Sequence, residues 1–297
     1  MLELILTFVF AHFLTDFFFQ TNRMIQLKKT HLHLGLTYHT ACHFMAASLG
    51  AIIYAFIAGR AAPIFILTLM AAALAIAVIH YLIDWAKEFL NLKYSRVTFS
   101  AVLFILDQIF HVVSIVVVLR GAGLISLTWS QFESRSLDFL FADVAFSNAS
   151  KLLLLLILFI LATEGSGYFL GIVLRDLSPN PSIGKETYNI TNEKTEMRTT
   201  MNEKGERTNE ITAVKTEQIY KDSPQKIGRY IGMIERLLIM VFIIQGTPYG
   251  LPFLIAVKSL TRFKQLENKR FAEYYLIGSL SSALIAIVLG YAVVQVL

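Results

Sequence analysis

Long apolar runs constrain this chain more than any other feature of its sequence. Four of them, residues 64–83, 97–119, 152–174 and 274–297, each approach the ~20 residues that a helix needs to cross a bilayer. Charged residues make up only 16% of the chain, against about 25% in a soluble domain. The sequence therefore predicts a multi-pass membrane protein and argues against a soluble globular enzyme.

Eight apolar segments predict an all-α, polytopic transmembrane helical bundle of about eight spans. They cover residues 2–20, 35–58, 64–86, 98–119, 152–174, 229–246, 250–265 and 274–297. The seventh is short and opens with "TPYGLP", so a tilted or re-entrant segment is expected there. Lysine and arginine concentrate in the first, third, fifth and seventh connections, which the positive-inside rule places in the cytoplasm. The N-terminus is then predicted to lie outside.

A change of composition divides the chain into three regions. Residues 1–174 form an N-terminal five-span bundle, and residues 229–297 form a C-terminal three-segment membrane region. Residues 175–228 between them are rich in Thr, Asn, Glu and Lys, which predicts a flexible polar cytoplasmic loop. The Thr-rich flanks of "NEKGER" would also allow a local hairpin.

Histidine and aspartate recur at one spacing inside the first four spans. Each of the five intramembrane histidines has an Asp or His four residues away, and such residues project from the same helix face. The pairs lie at comparable depths in their spans, so one shared site in the bundle is expected. The predicted metal ligands are His12, Asp16, His39, His43, His80, Asp84, Asp107 and His111.

Three interpretations of this cluster are open. A metal site is favoured, with a divalent ion, Zn²⁺ ahead of Mn²⁺ or Fe, because the set contains imidazole and carboxylate but no thiolate. A proton or ion pathway and interhelical hydrogen bonding are the alternatives. Gln20, Gln108 and Lys87 are candidates for supporting roles around the ligands.

Two further sets of polar residues lie in predicted spans. Glu164, in "LATEGSGYF", is the candidate general base or a further ligand, and helix packing is its alternative role. Arg236, Lys258 and Arg262 are candidates for an anion pocket that holds a lipid phosphate head group. An ion-pair network that joins the last three segments would explain the same residues.

The combined motifs resemble an uncharacterised family of bacterial multi-pass inner-membrane proteins, a domain-of-unknown-function family. They are "HFLTDFFFQ", "KKTHLHLGLTYH", "HYLIDWAK" and "DQIFH", with "IGMIERLLI", "AVKSLTRF" and "AEYYLIGSLSS" in the C-terminal half. The His/Asp pattern is similar to that of membrane-embedded metal-dependent hydrolases, the LexA-binding inner-membrane group. The resemblance implies location in the bacterial cytoplasmic (inner) membrane.

These features lead to one functional hypothesis and two alternatives. The hypothesis is a membrane-embedded metal-dependent hydrolase that acts on a lipid or other amphiphile near the cytoplasmic leaflet. The alternatives are an ion- or proton-coupled transporter and a non-enzymatic membrane scaffold. We expect membrane lipids as partners and no nucleic acid, and the sequence names no protein partner.

Overall fold

The structure is a computed structural model that describes residues 1–94, 96–126, 145–177, 187–201, 207–221 and 227–297. Ten α-helices lie in these ranges: α1 Leu2–Phe13, α2 Asn22–Thr30, α3 Leu32–Ile57, α4 Pro63–Lys93, α5 Val97–Gly121, α6 Asn148–Ile160, α7 Ser166–Val173, α8 Ile227–Ile244, α9 Leu251–Thr261 and α10 Lys269–Val296. Two π-helical turns, Leu14–Phe19 and Leu161–Gly165, continue α1 and join α6 to α7. Short 3₁₀ turns at Pro248–Gly250 and Phe263–Glu267 precede and follow α9.

Six helical segments in the described part of the chain are long and apolar enough to cross a membrane. They are Leu2–Phe19, Leu32–Ile57, Pro63–Lys93, Val97–Gly121, Asn148–Val173 and Lys269–Val296. The predicted multi-pass membrane bundle of helices is therefore confirmed for the membrane part of the chain. The predicted sixth and seventh segments correspond to α8 and α9, and α9 has 11 residues, or about 16 Å of helix, against a hydrocarbon core of ~30 Å. The count of eight spans and the outside N-terminus stay predictions.

The first span is the central helix of the N-terminal bundle. Over half of it, 56%, is buried, whereas 28% of each of the next three spans is buried. It packs on α3, α5 and α6 through residues such as Leu4 and Phe8. The facing helices α3 and α4 bring alanines to their contact, among them Ala51 and Ala73, and such small side chains let helix backbones approach closely in a membrane.

Both π-helical turns interrupt apolar helices where a polar site residue lies. The first contains Asp16 and the second contains Glu164. Hydroxyl groups satisfy carbonyls near both turns: Thr15 donates to Ala11 at 2.8 Å, and Ser166 donates to Leu161 at 2.6 Å. Isolated π-helical turns are frequent at functional sites because they redirect side chains that regular α-helix would aim elsewhere.

A short helix between the first two spans folds back against the second. Thr21 caps the N-terminus of α2 by accepting a hydrogen bond from the Met24 amide at 3.3 Å. Gly35 permits the contact of α2 with α3, because a Cβ atom at this position would lie 2.5 Å from the Lys28 backbone nitrogen. The close approach brings Lys28 into the bundle, where it is buried.

Residues 180–231 form a compact unit separate from the one made by Met1–Pro179 and Gly232–Leu297. Strands β1, Thr187–Met201, and β2, Arg207–Lys221, pair antiparallel in this unit, from Thr187↔Lys221 to Met201↔Arg207. The Thr-rich flanks therefore form strands, as their composition allows. Residues 202–206, most of "NEKGER", lie outside the described residues, and the flexibility of the segment stays a prediction.

Candidate metal centre

All eight predicted ligands converge in the N-terminal bundle. They come from four spans, and each side chain is buried, with at most 8% of its surface exposed. The five imidazole rings pack against one another with centroid distances of 3.8–5.4 Å between neighbours. The i, i+4 spacing seen in the sequence therefore corresponds to one continuous polar cluster.

Asp16 is the hub of this cluster. Its Oδ1 atom accepts hydrogen bonds from His43 Nε2 at 2.9 Å and from His39 Nε2 at 3.1 Å, and the two nitrogens lie 3.3 Å apart. Its Oδ2 atom accepts from the Gln108 amide at 3.1 Å and lies 3.5 Å from His12 Nε2. Both oxygens thus face donors that can also serve as metal ligands or as supports for them.

His80 brings an unpaired nitrogen to the same place. Its Nε2 atom lies 3.9 Å from Asp16 Oδ1 and 3.8 Å from Asp84 Oδ2, and it has no hydrogen-bond partner among the described residues. The side chain is 2% exposed. Buried polar atoms are almost always paired, so an orphaned imidazole nitrogen in a ring of histidines indicates a ligand position.

The ligand-capable atoms of the cluster fall into three overlapping groups, and within each group all atoms lie within 4.8 Å of one another. The groups are His12, Asp16, His43 and His80; His39, His80 and Asp84; and Asp16, Asp107 and His111. Asp16 and His80 each belong to two groups. The cluster could therefore hold a metal ion, and these two residues are the natural centre of the site.

Two lysines neutralise the other two aspartates. Lys28 Nζ donates to Asp84 Oδ2 at 2.8 Å, and Lys87 Nζ donates to Asp107 Oδ2 at 2.8 Å and to Asp84 Oδ1 at 3.4 Å. In the described part of the chain, Asp16 has no lysine or arginine within ion-pair distance. Asp16 therefore carries the negative charge that remains available to a cation.

A chain of side chains supports His80 from behind. His80 Nδ1 and His111 Nδ1 lie 3.1 Å apart, and His111 Nε2 lies 3.3 Å from Asp107 Oδ1. If His80 Nδ1 carries the proton, it donates to His111, which in turn faces the Asp107 carboxylate. Asp107 Oδ1 and His111 Nε2 are within ion-pair distance but form no hydrogen bond in this structure. A carboxylate that pairs with a histidine can orient metal ligands and raise their basicity.

A small cavity adjoins the histidines. It measures about 10 Å³ and is lined by His12, His43, His80 and His111 together with apolar residues of α1, α3, α4 and α5. That volume accommodates about one water molecule. The site therefore combines a ligand shell with room for a reactant next to it.

The supporting residues predicted from the sequence lie around the cluster, and one was missed. Gln108 contacts Asp16 and Asp107, and Lys87 contacts Asp84 and Asp107. In the amide orientation that satisfies both groups, Gln20 donates to the Asp16 backbone oxygen and accepts from Lys28, each at 3.2 Å. Lys28, which lies in the connection between the first two predicted spans, was missed, because its contact with Asp84 depends on the folding of α2 against α3.

Glu164 stands apart from the ligand-capable groups. It lies in the second π-helical turn, is half-buried, and is in none of the three groups formed by the described residues. This turn nevertheless contacts the one that carries Asp16, because a Cβ atom at Gly165 would lie 3.6 Å from the Phe17 ring. Its role as a general base stays a prediction.

The three cations predicted to form an anion pocket have protein partners. The buried Arg236 donates to the carbonyls of Ala162 and Thr163 in the second π-helical turn and to Ser282 Oγ. Lys258 pairs with Glu235 at 2.6 Å. Arg262 donates to Gln265 at 3.2 Å and lies over the Phe271 ring. These contacts agree with the alternative of an internal polar network, and lipid binding at the three cations stays a prediction.

Residues 4–140 match the family DUF3307, described as a protein of unknown function. The resemblance to an uncharacterised family is therefore confirmed for the N-terminal part of the chain. The DUF3307 region contains all eight predicted metal ligands, whereas α6 to α10 and the hairpin lie outside it. No curated protein and no solved structure matches the chain.

Proposed function

We propose that this protein is a membrane-embedded, metal-dependent hydrolase that acts on a lipid or another amphiphile. The observation that carries the proposal is the triangle formed by Asp16 Oδ1, His39 Nε2 and His43 Nε2, with sides of 2.9, 3.1 and 3.3 Å. Zinc–ligand bonds of about 2.0–2.1 Å in a tetrahedral site place neighbouring ligand atoms about 3.3 Å apart. The triangle thus has the size of one face of such a site.

His80 supplies the next ligand in this proposal. Its unpaired Nε2 atom lies 3.9 Å from Asp16 Oδ1, so a small side-chain movement would complete the coordination. His12, with Nε2 at 3.5 Å from Asp16 Oδ2 and 3.3 Å from Gln108, lies on the cavity side. Histidine and carboxylate ligands suit Zn²⁺, and Mn²⁺ or Fe²⁺ would fit the same donors.

One ion fits the charges better than two. A second ion near Asp84 or Asp107 would lie beside the ammonium group of Lys28 or Lys87, each 2.8 Å from a carboxylate oxygen. Two like charges at that range in a buried site repel strongly. In this proposal the lysines therefore keep Asp84 and Asp107 beside His111 and do not leave them free to bind a second metal.

Each part of the site has a role in hydrolysis. A divalent ion lowers the pKa of water and polarises the oxygen of an ester. The cavity beside His12, His43 and His80 accommodates that water, and Asp107 and His111 orient His80. The oxygen of the water would form the new bond to the ester centre, the bond to the alcohol would break, and the proton that the water loses would go to the leaving alcohol. The apolar helices that surround the cluster favour an amphiphilic substrate.

The metal content of the purified protein tests the proposal. We expect about one metal per chain after detergent purification without chelators, and a loss of most of it in His43→Ala. His31→Ala is the matched control, because His31 is exposed and lies outside the cluster. Wild-type protein with less than about 0.2 metal per chain after equilibration with Zn²⁺, Mn²⁺ or Fe²⁺ would refute the metal centre.

Hydrolysis is tested separately. The metal-loaded protein is incubated with fluorescent phospholipids and acylglycerols in detergent micelles, and the products are separated by chromatography. Release of product by the wild type, absent after chelation and in His43→Ala, is the expected result. A protein that binds metal but cleaves none of these ester classes would count against the hydrolase and leave the metal centre standing.

Proton or ion transport is the second candidate, and one observation favours it. The imidazole pair His80–His111 lies between the small cavity and Lys87, so polar groups run in sequence along the bundle. Histidine and aspartate chains of this kind serve proton relays. Proteoliposomes with an internal pH dye would show acidification driven by an imposed potential if this candidate is right, and His80→Ala would abolish the signal.

A further inference from the structure

A second, larger cavity is lined by Lys87, which also contacts two aspartates of the cluster. Its volume is about 500 Å³, and it is lined by Lys87 and Asn91 of α4, Ser100 and Phe104 of α5, Ile172 of α7, and Arg175, which follows α7. We refer to it as the Lys87 cleft. Its lining combines two cations, a hydroxyl, an amide and two apolar side chains.

The cationic side of the cleft suits an anion. Lys87 uses two of its three N–H donors on Asp107 and Asp84, at 2.8 and 3.4 Å, which leaves one donor for the cleft that the lysine lines. Arg175 is half-exposed, and its Nε atom lies 3.6 Å from its neighbour Asp176. Together with the Ser100 hydroxyl, these groups provide the charge-assisted donors that a phosphate prefers.

The Asn91 side chain requires a hydrogen-bond donor from the ligand. Its Oδ1 atom is buried and has no hydrogen-bond partner in the described part of the chain. An amide oxygen needs a donor, and the ionised phosphodiester group of a lipid has no O–H to offer. A hydroxyl or an ammonium group carried on the phosphate, as in a glycerol or ethanolamine head group, would meet this need. Phe104 and Ile172 provide apolar surface for the part of the molecule that joins the head group to its chains.

We propose that the Lys87 cleft binds a phosphodiester head group that bears a hydroxyl or ammonium donor. This assignment rests on the proposed function, since it names the substrate class of the hydrolase. Binding of the lipid to the cleft can nevertheless be measured without any measurement of hydrolysis. Lys87 is the element common to both sites, because it contacts Asp84 and Asp107 of the metal centre and lines the cleft. A head group bound in the cleft could therefore contact the same lysine that pairs with two aspartates of the proposed metal centre.

Lipid binding tests the assignment. The full-length protein in detergent is titrated with phosphatidylglycerol or with phosphatidylcholine, and the bound lipid is counted by native mass spectrometry. We expect tighter binding of phosphatidylglycerol, because the choline group has no hydrogen-bond donor for Asn91. Equal binding of the two lipids would overturn the role of Asn91 and the proposal with it.

Variants locate the binding at the cleft. Asn91→Asp keeps the shape but sets a negative charge against the phosphate, and Arg175→Gln removes a cation, so each should weaken phosphatidylglycerol binding about tenfold. Arg120→Gln is the matched control, an exposed arginine that does not line the cleft. Unchanged binding in both cleft variants, or an equal loss in the control, would overturn the proposal.

Two further arms separate the possible sources of phosphate and the two proposals. Soluble glycerol phosphate that competes with the lipid at equal concentration would assign the cleft to a free phosphate ester and overturn a lipid substrate. Metal content is measured in the same variants and should stay at the wild-type level. If the wild type binds no metal but binds phosphatidylglycerol at the cleft, the proposed function fails while the cleft assignment survives.

Discussion

Replacement of Asp16 by asparagine is the sharpest test of the metal centre. The change keeps the size and shape of the side chain and removes the one aspartate charge in the cluster that no lysine neutralises. Coulomb's law at an effective dielectric constant of about 20 gives roughly 8 kcal/mol for a divalent ion and a unit charge 4 Å apart. Rehydration of the ion recovers much of this, so we take a loss of affinity of at least about 100-fold, or 2.7 kcal/mol, as the lower bound.

Asp107→Asn gives the matched comparison. Asp107 is paired with Lys87 at 2.8 Å, and in the proposed site it would act on the ion only through His111 and His80. Loss of such a partner lowers metal affinity by about 10–100-fold. Both variants replace an aspartate by asparagine, so any difference between their metal affinities reports where the lost charge lies relative to the ion.

Equilibrium dialysis against graded free Zn²⁺, followed by elemental analysis of the protein, measures both affinities. A thermal melt of each metal-free variant shows whether the bundle remains folded. The reasoning would be refuted if Asp16→Asn bound Zn²⁺ within about tenfold of the wild type, or if Asp107→Asn were the more damaging change.

Three further predictions concern the lysine support and the buried arginine. Lys28→Met should lower the thermal midpoint in detergent, because removal of one partner from a buried ion pair costs about 3–5 kcal/mol. The double variant Lys28→Met with Asp84→Leu should recover most of this loss. A double variant as unstable as the single one would contradict the prediction. Gly35→Ala should lower the midpoint as well, since its Cβ would meet the Lys28 backbone at 2.5 Å, while Gly171→Ala, whose Cβ meets nothing within 4 Å, serves as the control and should change it little. Arg236→Ala should destabilise the protein by about 3 kcal/mol or more, because buried carbonyls lose their donors. It should leave the metal content unchanged. A reduced amount of co-purified anionic lipid would support the lipid contact predicted from the sequence, and an unchanged amount would remove that prediction.

The convergence of the eight His and Asp residues could be predicted from the sequence because helix periodicity is a local property. An i, i+4 pair lies on one face whatever the tertiary structure is, so His39 with His43 and Asp107 with His111 could be recognised without coordinates. Convergence of four such faces required one more assumption, that ionisable groups avoid lipid and face the bundle interior. The structure meets that assumption, since all eight side chains are buried.

What the sequence did not reveal depends on tertiary contacts. Lys28 lies in a polar stretch between two spans, and nothing local shows that α2 folds back over Gly35 to bring this lysine to Asp84. The π-helical turns have no residue signature that distinguishes "LTDFFF" from regular helix. Arg236 looked like an anion ligand because a buried cation needs a partner, and here the partners are carbonyls of the second turn, a pairing that composition cannot predict.

The choice between a structural network and a binding site turns on unpaired atoms. A network that only joins helices should satisfy its members, because a partly satisfied buried network is worse than an apolar contact. This cluster instead leaves His39 Nδ1, His80 Nε2, His111 Nε2 and Asp107 Oδ1 buried without hydrogen-bond partners among the described residues, although the last two atoms lie 3.3 Å apart. It also gathers three carboxylates and two lysines, Lys28 and Lys87, so that neutral histidines leave a net charge of −1. One divalent cation would reverse that charge to +1 and use His80 Nε2, whereas two would leave +3 in a membrane interior. The electrostatics and the orphaned nitrogen therefore both favour the proposal of a single ion at Asp16.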